Sequence, residues 1–199
     1  MRKKQKKKNI IILSALGLFS KQGFYNTTIA DISKKIGISV GSMYNYFPSK
    51  KDLAKSSIQY VTKKLAVELS YINRKEISEK EKIADFVKVY FIFIQKHPEM
   101  IDYFFRVYLS NRELFCDEED CGFYLAKDFI DEIEILINNG IKHKEFKKRN
   151  FYVTFSLISG ILGAMTFLNG EKVLEKNLNI YIEEITDMIY KALSVPIQN

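Results

Sequence analysis

The stretch "TTIADISKKIGISVGSMYNYFPSKKDL", Thr27 to Leu53, decides how the first part of this chain folds. Thr28 precedes Asp31 by three residues, the spacing of a capping box in which each side chain satisfies the other's backbone N–H. A helix is expected from about Ile29, with Ile29, Ile32 and Ile36 on one apolar face. Gly37 ends it, since a tight turn after a helix commonly needs positive φ. Ile38 can plug the angle between two helices, and Ser39 is a good N-cap for the next. That second helix, Val40 to about Phe47, turns Met43 and Phe47 inward and stops at Pro48. Ser49 with Asp52 forms another capping box, which opens a long helix through about Ile72. Two short helices around a glycine turn make a helix-turn-helix.

The outward face of the second short helix suits a nucleic acid. Ser42 and Asn45 can hydrogen-bond base edges, Val40 can touch a thymine methyl, and Gly41 admits a close backbone approach. Tyr44, Tyr46, Thr28, Ser39 and Lys50 carry polar groups that can reach phosphates. Charge agrees with this placement. Residues 1–64 hold 14 Lys or Arg against 2 Asp or Glu, whereas residues 65–199 hold 17 against 22. A basic module that faces a polyanion is thus joined to one that does not.

The stretch resembles the DNA-binding domain of the tetracycline-repressor (TetR) family of bacterial regulators. The resemblance rests on Thr27, Thr28, Ile32, Gly37, Ser39, Gly41, Tyr44, Tyr46, Phe47, Lys50 and Leu53, and upstream on "ALGLFSKQGFYNTT". It covers about residues 9–60. Ser33 and Ile36 stand where the family commonly has alanine. The resemblance implies an all-α protein of about nine helices, with a three-helix DNA-binding domain at residues 1–50 and a helical ligand-binding and dimerisation domain at 51–199. It also implies a homodimer on a palindromic operator, acting as a repressor and released by a small-molecule effector. The last two long helices of each subunit would then build the dimer interface.

The rest of the chain reads as helices. Ile83, Phe86, Val87, Tyr90, Phe91 and Ile94 keep helical spacing as far as His97-Pro98, and Pro98 opens a helix carrying Ile101, Phe104, Phe105 and Tyr108. Ala126, Phe129, Ile130, Ile133 and Ile137 mark another, with Gly140 as its expected left-handed C-cap. Phe151 to Leu168 is a run of 18 residues without a charge, preceded by the basic stretch "KHKEFKKRN". It meets the lower length limit of a membrane span, yet it contains serine, threonine and glycine, so a helix buried on both sides in an assembly is expected instead. Ser159, Gly160, Gly163 and Ala164 allow close helix approach there. Phe155 and Phe167 on this helix, and Ile182, Ile185 and Ile189 on the last, complete the expected interface. A membrane-associated protein is the alternative from another class.

The N-terminus starts with a basic run and an apolar run, as a secretory leader would, but no small-residue cleavage site follows. An amphipathic first helix is expected, with Ile10, Leu13, Ala15, Leu16 and Phe19 inward and Ser14, Ser20 and Lys21 outward. The cytoplasm is the expected compartment. Residues 86–129 hold twelve Phe or Tyr, most of them expected in the core. Among them Tyr90, Tyr103, Arg106, Tyr108 and Asn111 are the candidates to hold an apolar or aromatic effector. Cys116 and Cys121 flank "DEED" and give a redox-responsive alternative. No metal, cofactor or catalytic constellation is expected, because His97 and His143 lack partners at any recognisable spacing.

Overall fold

The computed structural model describes residues 2–116 and 122–195; Cys121 falls outside them, as does the "DEED" run. Among the described residues there are nine α-helices and no strand. They are α1 (Arg2–Gln22), α2 (Ile29–Ile36), α3 (Val40–Tyr44), α4 (Lys50–Asn73), α5 (Glu79–Lys96), α6 (Pro98–Tyr103), α7 (Lys127–Lys142), α8 (Phe151–Gly170) and α9 (Ile182–Leu193). A π-helical turn, Phe104–Tyr108, and a 3-10 segment, Leu109–Leu114, continue α6. The chain divides into two compact units, Met1–Lys64 with His97–Lys127, and Leu65–Lys96 with Asp128–Asn199.

In the first unit α1 packs on α2 and α6, and α2 on α3. Its core is Ile11, Ile12, Ala15, Leu16 and Phe19 of α1 against Ile32, Met43, Phe47, Leu53, Ile58 and Tyr103. The inward stripe of α1 is shifted from the expected one: Ile10 and Leu13 are exposed, and Ser14 and Ser20 are buried. Three consecutive isoleucines, residues 10–12, leave the phase of the stripe open until other helices select it. On α6 the buried residues are Met100 and Tyr103, not the expected Ile101, and Val107 is buried just beyond.

In the second unit α5 packs on α9 and α8, and α8 on α9. The expected apolar residues of α5 are all buried. Gly140 does not end α7, which runs two residues further. Its missing side chain instead admits the ring of Phe146, whose Cδ2 would lie 2.0 Å from a Cβ at this position. The left-handed residue after α7 is Lys144, at φ 62°. Asn150 caps α8 by accepting the N–H groups of Tyr152 (2.9 Å) and Val153 (3.3 Å). Along α8 only Thr154, Ile158, Leu162 and Thr166 are buried within the chain, one residue per turn.

Candidate nucleic-acid interface

The capping box that starts α2 is formed. Thr28 Oγ1 accepts the Asp31 N–H at 3.1 Å, and the Asp31 carboxylate accepts the Thr28 N–H at 2.9 Å and its hydroxyl at 2.6 Å. The Thr28 hydroxyl and N–H together hold the Asp31 carboxyl below its ordinary pKa. Gly37 sits at φ 68°, ψ 39°, where a Cβ would be strained, and its N–H returns to Lys34 O. Ser39 then caps α3, accepting the Ser42 N–H at 3.2 Å, and the two serine hydroxyls lie 2.9 Å apart. The local chemistry read from Thr28, Gly37 and Ser39 is therefore what builds the motif.

Met43 and Phe47 are buried and anchor α3 to the rest of the unit. The opposite side is open: Val40, Gly41, Tyr44 and Asn45 are exposed, while Ser42 and Tyr46 are half-buried. Thr28 and Ser39 are solvent-exposed caps on the same two helices. Lys8, in the basic first turns of α1, lies over the Phe47 ring at 5.1 Å, which brings that positive segment to the end of the motif. Lys50 is differently placed. Its ammonium donates to Phe24 O and Thr27 O, each at 2.9 Å, and sits 4.3 Å from the Phe24 ring centre. Desolvation there lowers its pKa from the ordinary lysine value.

A profile of bacterial regulatory proteins of the tetR family matches residues 11–56, the segment that runs from α1 through the motif into α4. The chain belongs to the TetR family. It is a DNA-binding transcriptional regulator with an N-terminal helix-turn-helix and a C-terminal helical domain. Among TetR-family structures, a regulator from Marinobacter aquaeolei VT8 superposes with a TM-score of 0.80 at 18% identity, over 98% of this chain and all of that one (100%). FadR of Bacillus subtilis, solved in complex with stearoyl-CoA, superposes with a TM-score of 0.75 at 14% identity, over 92% of this chain and 98% of that one. The nucleoid occlusion factor SlmA of Mannheimia succiniciproducens is 24% identical over 169 residues, 84% of this chain and 74% of that protein.

The candidate effector residues of this TetR-family chain are not all in one unit. Tyr90 belongs to the second, and Tyr103, Arg106, Tyr108 and Asn111 to the first. Tyr103 is fully buried, stacks 5.7 Å from Phe19 and donates to Ala54 O at 2.8 Å. That is a core role, and burial pushes its phenol pKa far up. Asn111 donates to Val107 O within its own turn, and Tyr108 packs against Phe104 and Phe115. Tyr90 donates to Thr166 Oγ1 at 2.6 Å, since Thr166 itself donates to Leu162 O. Desolvation raises the Tyr90 pKa, and the Thr166 hydrogen bond partly opposes it.

The candidate interface residues also separate. Ile185 and Ile189 are buried in the core of their own unit, at 5% and 1% exposure. Ile182 lines an open groove of about 570 Å³ with Lys80, Ala84 and Thr186. On α8, Gly160 and Phe167 are exposed, whereas Phe155, Ser159 and Gly163 are half-buried. A Cβ at Gly160 would meet nothing within 4 Å. Tyr152, Val153 and Ala164 join Gly160 and Phe167 on the exposed side, so one face of α8 is apolar and uncovered in the single chain.

One polar cluster has no counterpart in the sequence reading. Glu79, fully buried, accepts from Lys82 at 2.9 Å and pairs with His143 Nδ1 at 3.0 Å. His143 thus has an acidic partner after all, 64 residues away, where no spacing rule looks. Glu145 beside it accepts the Tyr190 hydroxyl at 3.1 Å. Cys116 is an exposed free thiol. Among the described residues no group of three or more His, Cys, Asp or Glu could hold a metal.

Proposed function

We propose that this TetR-family regulator is a homodimeric repressor that binds a palindromic operator and leaves it when a small apolar or aromatic effector binds. The exposed face of α3 carries the reading, because its polar side chains stand on a helix whose other side is anchored by Met43 and Phe47. In this assignment Ser42, Asn45 and Val40 read bases, and Gly41 allows the approach. Thr28, Ser39, Tyr44 and Tyr46 reach phosphates and set the register. The cytoplasm is the compartment such a regulator needs.

The apolar face of α8 is assigned to the two-fold contact. Gly160, Phe167 and the half-buried Phe155, Ser159 and Gly163 supply it. A patch of this kind in water favours association, and Gly160 lets two backbones approach. The same covering accounts for α8 better than a bilayer does, although its 20 residues are long and apolar enough to span one.

For the effector, the stearoyl-CoA bound by FadR favours an apolar acyl or aromatic ligand in the second unit, with the Tyr90–Thr166 pair as a polar anchor. Selection from random duplexes tests the DNA reading. It should enrich an inverted repeat with half-sites about one helical turn apart. A ligand panel on the selected complex then tests release. Replacing Cys116 and Cys121 with serine should leave that release intact, and a variant that loses it while peroxide releases the wild type would favour a thiol switch.

A second reading rests on the SlmA match, which extends past the DNA-binding domain. Sites scattered over the chromosome, rather than next to one or a few genes, would favour a nucleoid-related role over promoter control.

A further inference from the structure

We infer that Lys50 is a positioning residue of the DNA-reading head, a strut between the turn entering α2 and the start of α4, and not one of its phosphate contacts. The inference rests on the DNA-binding reading above. Lys50 is the first residue of α4, where the helix dipole disfavours a cation. Its side chain folds back to carbonyls 23 and 26 residues earlier in the chain. Thr27 O belongs to the residue before the Thr28 cap, so the bond fixes the backbone from which α2 departs. Phe24 supplies the second carbonyl and a ring face, and is itself held against Phe19 at 5.7 Å.

The segment tied off in this way, 24–50, contains both helices of the motif. α3 ends at Tyr44, short of the expected Phe47, and the buried Phe47 and Pro48 link it to the residue where the strut attaches. An ammonium that reached out to a phosphate would give up both carbonyls and the ring together. With those contacts kept, Lys50 contributes through the angle at which α2 and α3 are presented, and its charge displaces no counterion from DNA. Loss of the side chain then weakens binding by the same factor at every salt concentration. Loss of a phosphate contact instead reduces the slope of log affinity against log salt by about 0.9.

Two measurements test the strut. In the wild-type chain, reductive methylation of amines is followed residue by residue by mass spectrometry, with and without the selected duplex. Lys50 should be protected relative to Lys3 and Lys4 before DNA is added, and unchanged afterwards. Lys50 labelled as fast as the tail lysines in the free chain, and protected only by duplex, overturns the inference. In Lys50→Met, the melting temperature should fall, and affinity should drop about tenfold with an unchanged salt slope. An unchanged melting temperature with a shallower slope also overturns it. Should that variant not fold, the labelling result decides alone. If the wild type selects no sequence, the DNA reading fails, while protection of Lys50 in the free chain still tests the strut.

Discussion

Two surfaces of this chain face solvent with opposite chemistry. On α3 the exposed side is short and mostly polar, with Tyr44 and Asn45 beside Gly41 and, at its start, the exposed Ser39 paired with the half-buried Ser42. On α8 the exposed side is long and apolar, with Val153 at 62% and Phe167 at 59% exposure around Gly160. Both use a glycine with open space above it, at 41 and 160, so both accept a close neighbour. The polar one matches a groove lined with donors and acceptors. The apolar one matches another protein surface, and for the proposed two-fold regulator the simplest is itself. On the proposed reading, one chain carries both the surface that reads DNA and the surface that pairs two chains.

The comparison breaks most clearly at Gly160. Arginine there meets open space within the chain, so the fold should survive, but a charge lands in the proposed two-fold contact. Gly160→Arg should sediment as a monomer and bind the full operator about a hundredfold more weakly, because one head loses the other's effective concentration. A variant that stays dimeric with normal binding would move the contact off this face. Asn45→Ala sharpens the other side. It should leave the melting temperature unchanged and relax preference at one base pair by about 1–3 kcal/mol in a selection experiment. Unaltered preference would remove Asn45 from the reading set.

Smaller effects probe how the polar surface is built. Gly37→Ala places a Cβ at φ 68° and should cost about 1–2 kcal/mol in chemical denaturation. No cost would mean that the turn relaxes without it. Thr28→Val removes the hydroxyl bond, the larger of the two that hold the Asp31 carboxyl low, and keeps the backbone N–H. A lowered folded pKa stabilises above the unfolded value near 3.8 and is lost as pH falls through the folded one. The gap in melting temperature between wild type and Thr28→Val should therefore be full at neutral pH and narrow below about pH 4 to what the Thr28 Oγ1 cap on the Asp31 N–H contributes. A gap that widens in acid would mean that Asp31 is not held in this way.

The helix-turn-helix was legible because its determinants are local. Thr28 with Asp31, Gly37, Ser39, and Ser49 with Asp52 each act within four residues, and the bonds they imply are present. What was misread depends on distant partners. Gly140 looked like a helix end, yet the ring it admits comes from Phe146 beyond the helix. Tyr103 looked like a polar group in a greasy pocket, but its hydroxyl is taken by Ala54, 49 residues earlier. Ile185 and Ile189 belong to a stripe whose period is plain, but a period does not say whether the partner is α5 of the same chain or another copy. Lys50 fits the expected motif by position, while its two carbonyl partners lie across the motif.

The most direct test of the two-surface account is the composition of the complex on the selected operator, read by native mass spectrometry. Two chains on one inverted repeat are expected for the wild type. With Gly160→Arg, only a weak complex of one chain per half-site is expected. Tight binding of a single wild-type chain, or a two-chain complex untouched by Gly160→Arg, would contradict it.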